Sequence, residues 1–301
     1  GVSQAPDFDL CVIGAGSAGL SIAAGASQLG ARVALVEQGA MGGDCLNHGC
    51  VPSKALLAAA AQAVSWRAAA GFGLEQAPPR VDFTAVMAGV RGTIAAIAPN
   101  DSVARFEGLG VTVIAAAARF LGPDSLQAGQ RRLRARRFVI ATGARALVPP
   151  LPGLEAVPYL TNETLWDLAE LPRHLVILGG GPIGCELAQA FARLGSRVTI
   201  VEMGRLLPKD DPEATDFVRR ALLAEGVTLL EGAKAIGVEP GPAVLVEQAG
   251  QRRRVEGSHL LLALGRRVDH AALNLEAAGI RTDKGRLVLD HRLRTSNRRV
   301  Y

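Results

Sequence analysis

The sequence predicts an α/β fold built from two doubly wound domains, the second inserted in the first. Three observations carry this. Residues 10–39 recur at 175–204 without a gap, at an offset of 165, with 12 identities in 30 positions. Each copy runs from an apolar stretch of strand length through a glycine cluster, into a helical pattern, and out into a second apolar stretch ending in Glu. Between the copies lies a proline-rich connector, "LVPPLPGLEAVP" (147–158), of the kind that marks a domain boundary. The 301 residues, 49% of them hydrophobic, suffice for two cores.

In the first copy, "LCVIGAGSAGL" places Gly14, Gly16 and Gly19 directly after the apolar run. The first glycine permits a tight strand-to-helix turn. The second lets backbone approach a pyrophosphate, and the third lets helix pack close to strand. The helix then offers free N–H groups and a partial positive charge to phosphate. The strand that follows ends in Glu37, whose carboxylate suits ribose hydroxyls. In the second copy the corresponding residues are Gly179, Gly181, Gly184 and Glu202. One G-x-G-x-x-G is weak evidence. Two, each with its strand, helix and distal acid, point to two Rossmann-like dinucleotide-binding domains rather than to glycine-rich turns in an ordinary α/β domain.

Between the copies, 53–70 and 83–106 read as helices, and "VTVIAAAA" and "RRLRARRFVIATG" as strands. After the second copy come a helix over 213–225 and several short strands, the last being "HLLLALG", followed by "RRVD". The expected organisation is a first dinucleotide domain over 1–150, a second over 151–270, and a return into the first over 271–301.

Composition narrows the function. Basic residues are almost all arginine, 29 against 4 lysines, with a net charge of +5. The densest basic run, "QRRLRARR" (130–137), reads as a solvated hairpin. No recognition motif or interleaved aromatics accompany it, so no nucleic-acid partner is expected. Mild basicity also suits anionic dinucleotides. No apolar run is long enough for a membrane span. The first ten residues, "GVSQAPDFDL", lack a signal-peptide pattern, so the expectation is a cytoplasmic protein. In a reducing compartment a close cysteine pair is more often catalytic or metal-binding than structural.

Such a pair stands in "GGDCLNHGCVPSK" (42–54), as Cys45 and Cys50. A zinc site would need further ligands. Cys11 and Cys185 fall within a strand and a helix, and His48 would leave the set incomplete, so no metal is expected. With one nucleotide site for a flavin and the other for a nicotinamide, a dithiol suggests electrons passing from nicotinamide to flavin to disulfide. A helix is predicted to begin near Pro52, a favoured first-turn residue. Cys50 would then sit at a helix N-terminus, where the dipole favours a thiolate facing the flavin. Cys45, further out, is the better placed to exchange with substrate.

The dithiol segment resembles the active-site signature of the flavin-dependent pyridine nucleotide–disulfide oxidoreductases. The resemblance runs through the chain: "ATGARALVPPLPG" (141–153) is similar to the second flavin-contact segment, and "ALGRRVD" (263–269) to the segment closing the nicotinamide domain. It implies FAD and NAD(P)H as cofactors. Cys50 would form the charge-transfer contact with the flavin and Cys45 would be the interchange thiol. Lys54 would lie near the reactive flavin nitrogen, paired with Glu186. Gly43, Thr142 and Gly143 would approach FAD, and Gly265 and Arg266 would serve the nicotinamide side. The substrate would be a small-molecule disulfide, a dithiol or Hg(II), and the full-length protein a homodimer. Glu202 favours NADH over NADPH by repelling a 2′-phosphate, although Arg205 stands nearby.

"GGGPIGCELAQAFARLG" is similar to the mercuric-reductase-like branch more than to dihydrolipoamide dehydrogenases. Asp44 and His48 depart from the Thr and Val common in the family. The competing readings are an NADH oxidase or peroxidase, which commonly uses one redox cysteine, and a redox-inactive dinucleotide-binding scaffold. Neither needs Cys45, Cys50 and Lys54 together. Against the family plan, the chain lacks the interface domain that carries the catalytic base, and His291 does not match the base motif. The 301 residues are therefore expected to be a fragment that folds, holds flavin weakly or not at all, and does not turn over disulfides by itself.

Overall fold

The computed structural model describes residues 5–75 and 77–301, so the first four residues of the N-terminal stretch inspected for a signal peptide lie outside the described residues. In chain order the elements begin with β1 (Phe8–Ile13), α1 (Ser17–Gln28), β2 (Val33–Glu37), α2 (Gly43–Asn47), α3 (Cys50–Ala68), α4 (Phe83–Ile97) and α5 (Val103–Gly108). Then follow β3 (Thr112–Ala115), β4 (Ala118–Gly122), β5 (Ser125–Ala128), β6 (Arg131–Ile140), β7 (Arg145–Ala146) and β8 (Leu160–Thr161). The second copy of the repeat supplies β9 (His174–Leu178), α6 (Pro182–Leu194) and β10 (Arg197–Glu202). After it come α7 (Pro212–Ala224), β11 (Thr228–Glu231), β12 (Ala233–Glu239), β13 (Ala243–Gln248), β14 (Gln251–Glu256) and β15 (His259–Leu262).

The chain divides into two compact units. The first gathers the chain up to Asn47, Ile94–Arg145 and Arg267–Tyr301. The second gathers His48–Thr93 and Ala146–Arg266. Residues 48–93 precede the connector in sequence but group with the second sheet, because α3 packs along α6.

The first unit is a six-stranded sheet of order β3-β2-β1-β6-β5-β4. β1, β2, β3 and β6 are parallel, and β6, β5 and β4 form an antiparallel meander. β1 is buried on both faces, as parallel strands covered on both sides must be. Cys11 and Ile13 join Phe8, Val36, Phe120 and Phe138 on one face. Val12 joins Leu20, Ala23, Leu35 and Phe106 on the other. The basic run lies in a hairpin: Leu133 and Ala135 are buried while Arg132 and Arg136, on the opposite face, are exposed, the alternation a one-faced strand requires. The returning segment closes the unit, with Val300 bridging parallel to Phe138 beside β6.

The second unit has a parallel sheet of order β11-β10-β9-β15-β8. The antiparallel β12-β13-β14 sheet shares a core with it, through Val176, Leu178, Val201, Leu260 and Leu262 against Val238, Val244 and Val246. Helix α6 buries Cys185, Leu187, Ala188, Ala190, Phe191 and Leu194, and Phe83 lies 6.1 Å from Phe191 between ring centroids. The predicted α/β fold with two doubly wound domains thus holds.

Two boundaries differ from expectation. The helix expected over 83–106 is two helices. Pro99 has no N–H to donate, a 3-10 turn spans Ala98–Asp101, and the Ser102 hydroxyl caps α5 by accepting from the Arg105 N–H. α3 starts at Cys50, two residues before Pro52, which falls in the first turn where a missing N–H costs nothing. Among the described residues no helix is long and apolar enough to cross a membrane.

Candidate active site

In the first unit, β1 ends at Gly14, whose φ of +107° is a conformation that disfavours any side chain. A Cβ there would stand 2.2 Å from the Ala141 carbonyl oxygen. Gly16 is the N-cap of α1, in extended backbone and with no side-chain cap, so the first-turn N–H groups stay open. A Cβ on Gly19 would stand 1.8 Å from the Gly14 carbonyl oxygen, which is why helix and turn pack this closely. Gly43, at φ +61°, is pressed against Gly16: its Cβ would meet the Gly16 Cα at 2.5 Å.

Glu37 braces the turn from the side. Its Oε2 accepts from the Ala15 N–H at 2.7 Å and its Oε1 from the Gly39 N–H at 2.8 Å. An ionised carboxylate has about four acceptor sites, so two remain for ribose hydroxyls. A cleft of about 250 Å³ opens here, lined among others by Gly14, Glu37, Thr142, Gly143, Asp269 and Leu273. The uncapped helix end, the glycine cradle and this cleft suit an anionic dinucleotide such as FAD. The sequence motifs identify Gly14, Glu37, Thr142 and Gly143. Ala116, Ala118, Ala272 and Leu273 also line the cleft, and only Asp269 among its distal residues carried a signal, as the last residue of "ALGRRVD".

The second unit repeats the device. Gly179 has φ +110°, with its Cβ position 2.1 Å from the Ala263 carbonyl oxygen, and a Cβ on Gly184 would stand 2.1 Å from the Gly179 carbonyl oxygen. Gly181 is the uncapped N-cap of α6. Glu202 accepts from the Gly180 N–H at 2.7 Å and from the Gly204 N–H at 2.8 Å. Gly265, at φ +106°, follows β15 by three residues, and its carbonyl accepts from the Leu147 N–H at 2.9 Å. Arg266 is exposed. The Arg205 side chain folds back, donating to the carbonyls of Pro208 and Asp210 at 3.1 and 3.4 Å.

The dithiol segment opens with α2, in which Cys45 is half-buried. The Asn47 amide donates to the carbonyls of Met41 and Gly43 at 3.1 and 2.8 Å, holding the preceding turn. Cys50 is the first residue of α3 and exposed, after an N-cap Gly49 that offers no side-chain cap. The carbonyl of His48 accepts from the Trp166 indole at 3.0 Å, a contact that nothing in the sequence signalled. One turn after Cys50, Lys54 Nζ meets both carboxylate oxygens of Glu186 at 2.7 and 2.9 Å. The two side chains are 60% and 40% exposed, so burial does not force this pairing. Cys11 and Cys185 are buried, and desolvation pushes each thiol up to about 12, which makes both chemically inert.

A comparison with protein families matches residues 8–301 to the family described as "Pyridine nucleotide-disulphide oxidoreductase". The chain belongs to that family. FAD and NAD(P)H are the cofactors of these oxidoreductases. Among curated relatives, mercuric reductase of Streptomyces lividans is 38% identical over 98% of this chain and 64% of its own length. Mercuric reductase of Bacillus cereus is 36% identical over 98% of this chain and 48% of its own. Dihydrolipoyl dehydrogenase of Thermus scotoductus is 36% identical over 98% and 65%. The chain thus spans about half to two thirds of the length of these pyridine nucleotide–disulphide oxidoreductases. Among solved structures, the HOCl-induced flavoprotein disulfide reductase RclA from Escherichia coli matches with a TM-score of 0.84 at 30% identity, over 98% of this chain and 65% of that one.

Proposed function

We propose that the full-length protein containing this chain carries electrons from NADH through FAD to a Cys45–Cys50 disulfide, and from the reduced pair to a small-molecule acceptor: a disulfide, a dithiol's oxidised partner, or a metal ion such as Hg(II). The observation that supports it above all is the doubled glycine turn, with the same bracing carboxylate in each unit, together with a C-x4-C segment that falls between the two copies in sequence. The acceptor classes are those suggested by the chain's relatives, a mercuric reductase, a dihydrolipoyl dehydrogenase and a flavoprotein disulfide reductase.

In this reading residues 1–150, with the return over 271–301, form the FAD domain, except that 48–93 group with the second unit, and 151–270 form the nicotinamide domain. Gly14, Gly16, Gly19, Glu37, Gly43, Thr142 and Gly143 hold FAD. Gly179, Gly181, Gly184, Glu202, Gly265 and Arg266 hold NAD(P)H. Bound FAD supplies a two-electron relay. In this reading Lys54, paired with Glu186 and one turn from Cys50, serves the flavin.

An electron pair entering the Cys45–Cys50 bond breaks it and leaves Cys50 as thiolate and, after one proton is taken up, Cys45 as thiol. Deprotonated Cys45 then attacks an acceptor disulfide, forming a mixed disulfide and releasing one thiolate. Cys50 attacks the Cys45 sulfur, restores the internal disulfide and releases the second. The protein works in the cytoplasm, a reducing compartment in which a close cysteine pair is more often catalytic than structural, and the full-length protein acts as a homodimer.

Anaerobic titration of the FAD-loaded protein with NADH tests the reading. The expected uptake exceeds the two electrons that the flavin alone can hold, with new long-wavelength absorbance that Cys50→Ser abolishes and Cys45→Ser keeps. Uptake limited to the flavin, or unchanged disulfide reduction in both variants, would overturn it. Assay of the full-length protein with Hg(II) and a panel of disulfides then selects the acceptor.

A further inference from the structure

The loop that follows Glu202 is held by a network that, among the described residues, the first unit does not contain at its matching strand end. In the first sheet Glu37 at the end of β2 pairs across to Ala115 of β3. In the second, Glu202 at the end of β10 pairs across to Glu231 of β11. Glu231 Oε1 accepts from the Leu206 N–H at 2.6 Å. The Arg219 guanidinium meets the same carboxylate in a fork, Nε to Oε2 and Nη2 to Oε1, both at 2.8 Å. Arg219 holds the Glu231 carboxyl below the usual carboxylate range, and the Leu206 N–H adds to this.

The loop so held is tied on its other side to the glycine turn. The Leu207 N–H donates to the Gly180 carbonyl at 2.9 Å, and the Gly232 N–H to the Gly204 carbonyl at 2.9 Å. Leu206 is fully buried, and its Cδ1 lies 3.0 Å from where a Cβ on Gly180 would be. Leu207 has φ +46°, a conformation that a leucine keeps only when its surroundings over-determine it. Gly180 and Gly204 are also the two N–H donors that fix the Glu202 carboxylate. The loop between Glu202 and α7 is therefore tied on two sides, and both ties meet at the acid expected to face the ribose.

We infer that Glu231, clamped by Arg219, is a positioning residue for the nicotinamide nucleotide: through the Leu206 amide it sets the Gly180–Glu202–Gly204 geometry that receives the adenosine ribose and discriminates against a 2′-phosphate. This rests on the assignment of the second glycine turn to NADH. Glu231 acts at one remove. It touches Leu206 and Arg219, and the carboxylate it helps to place is that of Glu202.

Calorimetric binding of NADH and of NADPH to the chain and its variants, with thermal melting of the same samples, tests this. Glu231→Ala removes the acceptor and is expected to weaken NADH about tenfold, at little change for NADPH, so that the preference between them narrows. Glu231→Gln keeps an oxygen for the Leu206 N–H and is expected to lose about threefold or less. Arg219→Ala leaves the carboxylate unclamped and falls between the two, which keeps the test open if Glu231→Ala does not fold. Arg254→Ala, which breaks an exposed pair with Glu239 elsewhere in the unit, is expected to bind as the parent does. A purely structural role would lower the melting temperature of the Glu231 and Arg219 variants and leave both affinities and their ratio unchanged, and that result overturns the inference. A parent chain that binds neither nucleotide would instead overturn the assignment of the second turn, and the inference with it.

Discussion

The two dinucleotide modules share their turn and differ in what surrounds it. In both, the first glycine is at φ near +110°, the third lies under the carbonyl of the first, and a glutamate from the second strand accepts two backbone N–H groups. Beyond this the modules part. The first has Ala15 after its leading glycine, Ala115 across from its glutamate, and an open cleft lined by Ala116 and Ala118. The second has Gly180, Glu231, and a loop whose Leu206 is packed on that glycine. A turn that must meet a pyrophosphate is constrained to one geometry. The ground beside it is free to become an open cleft or a braced specificity loop.

The comparison breaks most severely at the third glycine. Gly19→Ala and Gly184→Ala each drive a methyl against a backbone carbonyl that has no room to move, a cost of about 3 kcal/mol locally. Gly19→Ala is expected to abolish FAD retention while NADH still binds, and Gly184→Ala to do the reverse. Flavin absorbance after gel filtration, with NADH calorimetry, checks both. If either variant loses both ligands, the modules are not independent sites.

Removing the bracing carboxylates sharpens the contrast. Glu37→Ala and Glu202→Ala each leave two N–H groups without an acceptor, about 1–3 kcal/mol of destabilisation. Only Glu202→Ala is expected also to narrow the preference for NADH over NADPH. An unchanged cofactor ratio would mean that Glu202 does not touch the ribose.

Exchanging the small residues comes next. Gly180→Ala is expected to cost about 1–2 kcal/mol, because the new methyl sits 3.0 Å from Leu206 Cδ1. Leu206 is fully buried, so Leu206→Ala is itself expected to cost about 2–5 kcal/mol, but in that background Gly180→Ala should cost less in denaturant melts than it does in the parent. An equal cost in both backgrounds would place the strain at Glu202 Cβ and Cγ, 3.1 Å from the new methyl, rather than at Leu206.

Acid separates the units more gently. Burial holds His174 and His259 of the second unit below the ordinary histidine range, with Arg197 adding to the effect at His174 and Glu170 opposing it at His259. His174 Nε2 contacts Thr199 Oγ1, and Ser258 Oγ contacts His259 Nδ1. A depressed histidine contributes stability that is complete above its unfolded value of about 6.5 and is lost as pH falls through its folded value. The first unit has His270 in the same condition. Denaturation midpoints should therefore fall as pH drops below about 6.5, and His174→Gln with His259→Asn should flatten that fall. A slope unchanged by the double variant would move its origin elsewhere.

The smallest effect on stability is expected at Lys54 and Glu186. Their pairing is half-exposed, so Lys54→Met or Glu186→Gln should shift stability by less than about 1 kcal/mol. A much larger loss in melting experiments would show a structural role. A flavin spectrum unchanged in both variants would remove them from the flavin site.

Much of this was legible in the sequence because the nucleotide turns are local devices. Gly14, Gly16 and Gly19 lie within six residues, and Glu37 follows at the end of the next strand, so spacing alone announces them. The dithiol segment is local too. Glu231 and Arg219 carried no such signal, since a glutamate ending a strand and an arginine on a helix are ordinary surface residues until β11 sets one beside Glu202. Trp166 was equally silent: its indole reaches His48 across 118 residues of chain.

What the sequence determined by itself was the type of chemistry: two dinucleotide turns, a redox-suited cysteine pair and the α/β class. Each follows from short-range sterics, a positive φ, an uncapped helix end and an alternating or continuous apolar run, all properties of neighbouring residues. What only the tertiary structure decided was which residues enclose those turns. The cleft beside Glu37 takes its wall from Asp269 and Leu273, more than 230 residues away in sequence, and the loop beside Glu202 takes its clamp from a third strand. Such partners are chosen by strand order and register, and a one-residue shift in the pairing of β10 with β11 would turn Glu231 to the opposite face of the sheet.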